Sequence, residues 1–216
     1  MSTTKQPDNP PDKAAKKSKF SRRGFLTSVG VTSGALTSGI LETEAEAAPS
    51  AKVSGPGEVP ITLQINGKPI KVAVEPRATL CDTLRNRLDF TAAKRVCDRG
   101  TCGACSVIVD GKVMYGCTLL AIDLQGRQIQ TLEGISTEKK LHPVSKAFVN
   151  NDAQQCGYCT PGFVVASKAF LDRNPNPSFE EVKKGLGGNL CRCGTYVGIR
   201  KAVLEAAKEM RGGNNA

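Results

Sequence analysis

The chain has 216 residues, 39% of them hydrophobic and 23% charged, with 30 Lys and Arg against 20 Asp and Glu, one His and no Trp. That leaves room for one large or two small cores and too little for a multi-domain enzyme. The net charge of +10 does not make it a nucleic-acid binder, because three Tyr and seven Phe offer little to stack on bases and the basic residues are scattered outside a short N-terminal cluster.

Residues 1 to 20 are polar and Lys-rich, and Ser21-Arg22-Arg23-Gly24-Phe25-Leu26 then gives a twin-arginine export signature. The uncharged run from Gly24 to Leu41 is diluted by Gly, Ser and Thr and makes a poor membrane anchor. Ala45-Glu46-Ala47 supplies the small residues that a signal peptidase reads, so cleavage after Ala47 is expected. Residues 1–47 therefore read as a signal peptide, and the chain is expected in the periplasm, exported folded and without a membrane anchor. That route suits a protein whose cofactor is inserted in the reducing cytoplasm.

Residues 48–59, rich in Ala, Pro, Gly and Ser, read as a linker. From Pro60, the alternation of Ile61, Leu63 and Ile65, the Asn66-Gly67 turn and the alternation of Ile70, Val72 and Val74 predict a hairpin. Leu80, Leu84 and Leu88 place one face of a helix over Thr79 to Leu88. Strands follow at Ser106 to Val109 and Lys112 to Tyr115, around Asp110-Gly111, and at Gln128 to Leu132. After Gly134 the period changes, and helices are predicted at Pro143 to Asn150, Gly162 to Arg173, Phe179 to Leu186 and Gly198 to Met210, the third opened by a Ser178/Glu181 capping box. Strands followed by helices give an α+β chain with domains at 60–134 and 135–216.

Eight of the nine cysteines form two groups. Cys97, Cys102, Cys105 and Cys117 are spaced C-x4-C-x2-C-x11-C, and the first three match plant-type [2Fe-2S] spacing, with Gly100, Gly103 and Ala104 leaving room for backbone N–H groups to approach sulfur. Cys156, Cys159, Cys191 and Cys193 are spaced C-x2-C-x31-C-x-C, each pair just before a predicted helix whose N-terminus favours an anionic group. Four thiolates satisfy structural zinc equally well in ligand count, and disulfides are the other alternative, although C-x2-C and C-x-C pairs close short, strained loops. The ferredoxin spacing beside a sheet favours iron.

Three segments, Cys97-Asp98-Arg99-Gly100-Thr101-Cys102-Gly103-Ala104-Cys105, Gln155-Cys156-Gly157-Tyr158-Cys159-Thr160-Pro161-Gly162 and Gly188-Asn189-Leu190-Cys191-Arg192-Cys193-Gly194, resemble the small iron-sulfur subunit of molybdenum hydroxylases, the xanthine dehydrogenase and aldehyde oxidoreductase family. The resemblance spans about Pro60 to Met210, and with the export signal it looks most like the subunit of a periplasmic aldehyde oxidase. It implies a β-grasp, plant-type ferredoxin-like domain followed by a small all-α helical-bundle domain, each with one [2Fe-2S] cluster. It also implies a large partner subunit with molybdopterin, as the cytosine dinucleotide, and an FAD subunit or a soluble electron acceptor. Electrons would enter at the cluster on Cys156, Cys159, Cys191 and Cys193 and leave from that on Cys97, Cys102, Cys105 and Cys117, with Gln155 and Cys193 near the pterin. The chain itself would be non-catalytic, passing electrons during aldehyde oxidation; the alternatives are the same role in a purine or N-heterocycle dehydrogenase, a free-standing two-cluster ferredoxin, or a zinc-stabilised binding module.

No G-x-G-x-x-G follows a strand, no P-loop is present, and His142 is the only histidine, so histidine-based acid-base chemistry has little to work with. Cys81, between Leu80 and Leu84, reads as a buried small hydrophobe, and His142 before Pro143 as a structural residue at a helix start.

Overall fold

Strand β1 (Val59–Ile65) pairs antiparallel with β2 (Lys68–Val74), Ile65 opposite Lys68, across the predicted Asn66-Gly67 turn. Both turn residues have positive φ, 52° and 76°, the two-residue hairpin geometry that Asn-Gly favours. This computed structural model describes residues 55–137 and 139–212; the expected signal peptide, residues 1–47, lies outside them. Alternation turns Ile61, Leu63 and Ile65 inward, each 2% exposed or less.

Helix α1 (Leu80–Arg87) starts where the Thr79 hydroxyl accepts the Asp82 N–H at 3.1 Å, and it lays Leu80 and Leu84 onto the sheet. Strands β3 (Ser106–Val109) and β4 (Lys112–Tyr115) form the second hairpin, and after two short 3-10 turns β5 (Gln128–Gln130) completes the sheet. The order is β2-β1-β5-β3-β4, with β1 and β5 parallel and the other pairs antiparallel. A central parallel pair made by the first and last strands, with a helix across one face, is the β-grasp arrangement.

The strand expected to reach Leu132 stops at Gln130. The Asn66 side chain accepts the Thr131 N–H at 2.9 Å and donates to the Thr131 hydroxyl at 3.0 Å, which takes that residue out of the ladder. The chain then turns into the one-turn helix α2 (Leu132–Ile135).

The helical half consists of α3 (Pro143–Asn150), α4 (Thr160–Arg173), α5 (Phe179–Gly185) and α6 (Tyr196–Gly212). Helices α4 and α6 each begin two residues before the predicted start, with Pro161 in the first turn of α4, where its missing N–H costs nothing. The Ser178/Glu181 capping box forms, and His142 Nδ1 accepts the Val144 N–H at 3.2 Å as the N-cap of α3. Phe148, Phe163, Leu171, Val182, Ile199 and Val203 fill the core between these helices. Truncating either phenylalanine costs about 3–5 kcal/mol at such a site.

Strand β3 is buried on both faces. Val107 and Val109 face the α1 core, while Ile108 packs against Val165 and Ala169 of α4. That contact joins the two halves, which lie in a single compact unit. Among the described residues no helix is long and apolar enough to cross a membrane.

Candidate metal centres

The loop between α1 and β3 carries Cys97, Cys102 and Cys105, and the 3-10 turn after β4 carries Cys117. Cys105 and Cys117 are buried, while Cys97 and Cys102 are half-buried. The loop curls because Asp98, Gly100 and Gly103 take positive φ of 54°, 71° and 68°. That curl aims backbone donors inward: the Gly100 N–H reaches Cys117 Sγ at 3.3 Å and the Thr101 N–H reaches Cys97 Sγ at 3.4 Å. A Cβ on Gly100 would lie 2.8 Å from Thr118 Cγ2, so the approach needs glycine.

The second set stands at two helix starts. Cys159 is the N-cap residue of α4, with Cys156 exposed in the turn before it, and Cys191 and Cys193 precede α6. Cys191 is 7% exposed; its N–H donates to the Tyr196 hydroxyl at 2.8 Å and its Sγ lies 3.3 Å from Thr195 Oγ1. Cys193 is exposed, and so is Gln155 beside Cys156. Tyr158, Leu190 and Val197, each at least half exposed, lie within a few residues of these cysteines in sequence.

Neighbouring thiols shift one another's acidity within each set, Cys97 with Cys102, Cys105 with Cys117, Cys156 with Cys193 and Cys159 with Cys191, and Cys105 is also influenced by Cys81. Among the described residues no three His, Cys, Asp or Glu side chains converge as ligands of a single ion. Four thiols in each set suit a binuclear centre, in which each metal takes two thiolates. In the first set the backbone N–H groups on sulfur and the glycine at position 100 add to a donor set that fits a [2Fe-2S] cluster, and the second set offers four thiols at two helix starts, a donor set that fits the same group.

The thiols differ in acidity before any metal displaces their protons. Hydrogen bonding by Thr101, with the Arg99 N–H, brings Cys97 down to about 6. Burial opposes ionisation of Cys191, but the Thr195 hydroxyl and N–H bring it down to about 7. Burial pushes Cys117 up to about 11, and burial with the neighbouring Cys191 pushes Cys159 up to about 12. Cys105 is raised by the Cys81 thiol hydrogen-bonded to it and by burial.

Four residues that sequence reasoning left unassigned tie the sets together. The Leu190 N–H donates to the Cys102 carbonyl at 2.9 Å. Asn189, 5% exposed, donates its amide to the Gly103 carbonyl at 3.0 Å, and a Cβ on Gly103 would lie 2.6 Å from that amide nitrogen. The Tyr115 ring packs against Cys81, Cys105 and Cys117, and its hydroxyl donates to the Gly188 carbonyl at 2.9 Å. Lys94 Nζ stands 5.8 Å from the Tyr158 ring centroid, a cation–π contact across the same seam. Cys81 is fully buried under the first set, as its position between two leucines predicts.

The chain matches two family models: a 2Fe-2S iron-sulfur cluster binding domain over residues 63–131 and a [2Fe-2S] binding domain over residues 131–204. It is 45% identical to one of the nicotinate dehydrogenase subunits of Pseudomonas putida, over 70% of this chain and 96% of that one. It is 35% identical to the aldehyde oxidoreductase iron-sulfur-binding subunit of Escherichia coli O157:H7, over 89% of this chain and 90% of that one. Among solved structures it superposes on a chain of quinoline 2-oxidoreductase from Pseudomonas putida 86 with a TM-score of 0.69 and 39% identity, covering 72% of this chain and 98% of that one.

Proposed function

Since the chain belongs to the [2Fe-2S] iron-sulfur subunits of molybdenum hydroxylases, as an electron-transferring, non-catalytic part of an oxidoreductase complex, we propose that its two cysteine sets carry the electrons. Cys97, Cys102, Cys105 and Cys117 hold one cluster, and Cys156, Cys159, Cys191 and Cys193 hold the other, each set within its own domain, 60–134 and 135–216. Bound there, a [2Fe-2S] cluster accepts and returns one electron at a potential that the protein sets. The observation that carries this reading is the hydrogen bond from the Leu190 N–H to the Cys102 carbonyl. It joins the residue before Cys191 to a cysteine of the other set, so the two sets are one main-chain hydrogen bond apart.

The chain's own residues do the rest. The N–H groups of Gly100 and Thr101 stabilise charge on sulfur. Burial of Cys105, Cys117 and Cys191 keeps water from the inner sulfurs, while Cys156 and Cys193 stay open. That open edge, with Gln155 beside it, faces the molybdopterin of the large molybdenum subunit, held as the cytosine dinucleotide. The rim at Cys97 is the exit, toward an FAD subunit or a soluble acceptor.

The oxidised substrate is an aldehyde in this proposal; the support is the aldehyde oxidoreductase relative, whose alignment covers 89% of this chain and so extends into the N-terminal segment. A second reading, an N-heterocycle, is favoured by the 45% identical nicotinate dehydrogenase relative. Ser21-Arg22-Arg23 and Ala45-Glu46-Ala47 support export of the folded chain to the periplasm by the twin-arginine route.

The test is metal and acid-labile sulfide content with reduced-state EPR, on the chain purified anaerobically with its co-eluting subunits. About four Fe and four sulfides per chain, with two EPR signals and co-eluting molybdenum, is the expected result. Zinc without sulfide overturns it.

A further inference from the structure

Thr195 stands just before α6, with its hydroxyl between two groups of earlier chain segments. Its carbonyl accepts the Ile199 N–H at 3.0 Å, while Oγ1 lies 3.3 Å from Cys191 Sγ and 3.3 Å from the Ala153 carbonyl oxygen. While Cys191 is a thiol either atom of that contact can donate; once Cys191 is a thiolate, one hydroxyl hydrogen has two acceptors at equal reach. One is a neutral carbonyl, whose pull does not change when an electron arrives nearby. The other is a sulfur that becomes a thiolate on ligation and gains electron density on reduction. Hydrogen bonds to an ionised acceptor are roughly twice as strong as neutral ones. Cys191 is only 7% exposed, so water competes little for that sulfur and the local bond counts for more than it would in solvent.

Resting on the reading that Cys156, Cys159, Cys191 and Cys193 hold a [2Fe-2S] cluster, we propose that Thr195 is a positioning residue that raises the potential of this second centre by donating its hydroxyl to Cys191 Sγ more strongly in the reduced than in the oxidised state. One electron enters and none leaves. The hydroxyl hydrogen stays on oxygen, and only its preferred acceptor shifts, from the Ala153 carbonyl toward Cys191 Sγ. The consequence is directional: the centre at the open edge becomes the better electron acceptor without any change in its ligands. Hydrogen bonds to ligand sulfur are among the levers that set such potentials.

The experiment is an EPR-monitored redox titration of the complete complex, comparing wild type with Thr195→Val, Thr195→Ala and Thr195→Ser. Valine keeps the shape and replaces the hydroxyl by a methyl; serine keeps the hydroxyl. The expected result is that valine and alanine lower the reduced-to-oxidised ratio of the second centre about tenfold at a fixed potential, a midpoint shift of about 59 mV for a one-electron couple. The first centre stays where it was, and serine restores the wild-type value. An unchanged second midpoint in both hydroxyl-free variants, or a shift shared equally by both centres, overturns the inference. Failure of valine and alanine alike to assemble the second centre, with serine assembling it, overturns tuning in favour of a purely structural hydroxyl. Absence of two [2Fe-2S] signals from the wild-type complex overturns the cluster assignment itself, which is a separate result.

Discussion

The backbone N–H of Leu190 donates to the carbonyl oxygen of Cys102 at 2.9 Å, across 88 positions of sequence. Cys102 belongs to the loop before β3 and Leu190 to the loop before α6, so this bond spans the seam between the sheet and the helices. Its register depends on Asn189, whose amide reaches the Gly103 carbonyl at 3.0 Å and lies 3.4 Å from the Ser106 hydroxyl.

Replacing Asn189 by Ala removes that amide where water does not easily follow. A buried acceptor that loses its donor costs about 1–3 kcal/mol; here the Ser106 hydroxyl still donates to the Gly103 carbonyl at 2.7 Å, which places the expected loss at the lower end. Thermal unfolding of the loaded chain is expected to show a lower Tm, with weakened magnetic interaction between the two reduced centres in the EPR spectrum. A Tm drop with an unaltered interaction would make Asn189 a folding residue only.

Two glycines with similar φ give opposite expectations. Gly103 has φ 68° and a Cβ there would lie 2.6 Å from Asn189 Nδ2 and 2.8 Å from the Gly188 carbonyl oxygen; Gly111 has φ 76° and nothing within 4 Å of the Cβ position. Gly111→Ala should cost only the left-handed backbone penalty, about 1–2 kcal/mol, and keep both centres. Gly103→Ala should lose iron from the first centre. Iron counted per chain for both variants decides this, and equal retention would contradict it.

Cys81 tests the ligand set. It is fully buried beside Cys105, yet it stands on α1 rather than in either cysteine loop. Cys81→Ser should retain about four Fe per chain, whereas Cys105→Ser should lose the first centre. Iron loss from the Cys81 variant would show that the set has been misassigned.

His142 gives the chain a pH dependence of known sign. Burial, and next Lys168, hold its imidazole below the ordinary value of 6.5, and its unprotonated Nδ1 accepts the Val144 N–H. As pH falls, the unfolded chain takes up this proton before the folded chain does. The contribution is therefore present above 6.5 and lost between 6.5 and the lower folded-state pKa. Tm of the wild type should fall faster than that of His142→Asn over this window, because asparagine caps without titrating. Parallel curves would contradict this.

Local chemistry made much of this structure legible in the sequence. Asn66-Gly67 and Asp110-Gly111 announce their hairpins because both residues of each turn need positive φ, and Ser178 with Glu181 announces a helix start within one turn of chain. The cysteine spacings located both candidate sets. What stayed illegible depends on contacts between distant segments. The Asn66 side chain ends β5 from 65 residues away, and Tyr115 and Asn189 reach across 73 and 86 residues. The last two cross the seam between sheet and helices, where Ile108 meets Val165 and Ala169 of α4, and no periodicity reports such a meeting.

The most direct test of the electron-carrying role is rapid-freeze EPR of the oxidised, anaerobic complex mixed with benzaldehyde and, separately, with nicotinate. With whichever compound is turned over, the account predicts that both [2Fe-2S] signals appear within a single turnover, and that Asn189→Ala delays the signal of the Cys97 set but not that of the Cys156 set. Product formed while either centre stays oxidised would contradict it.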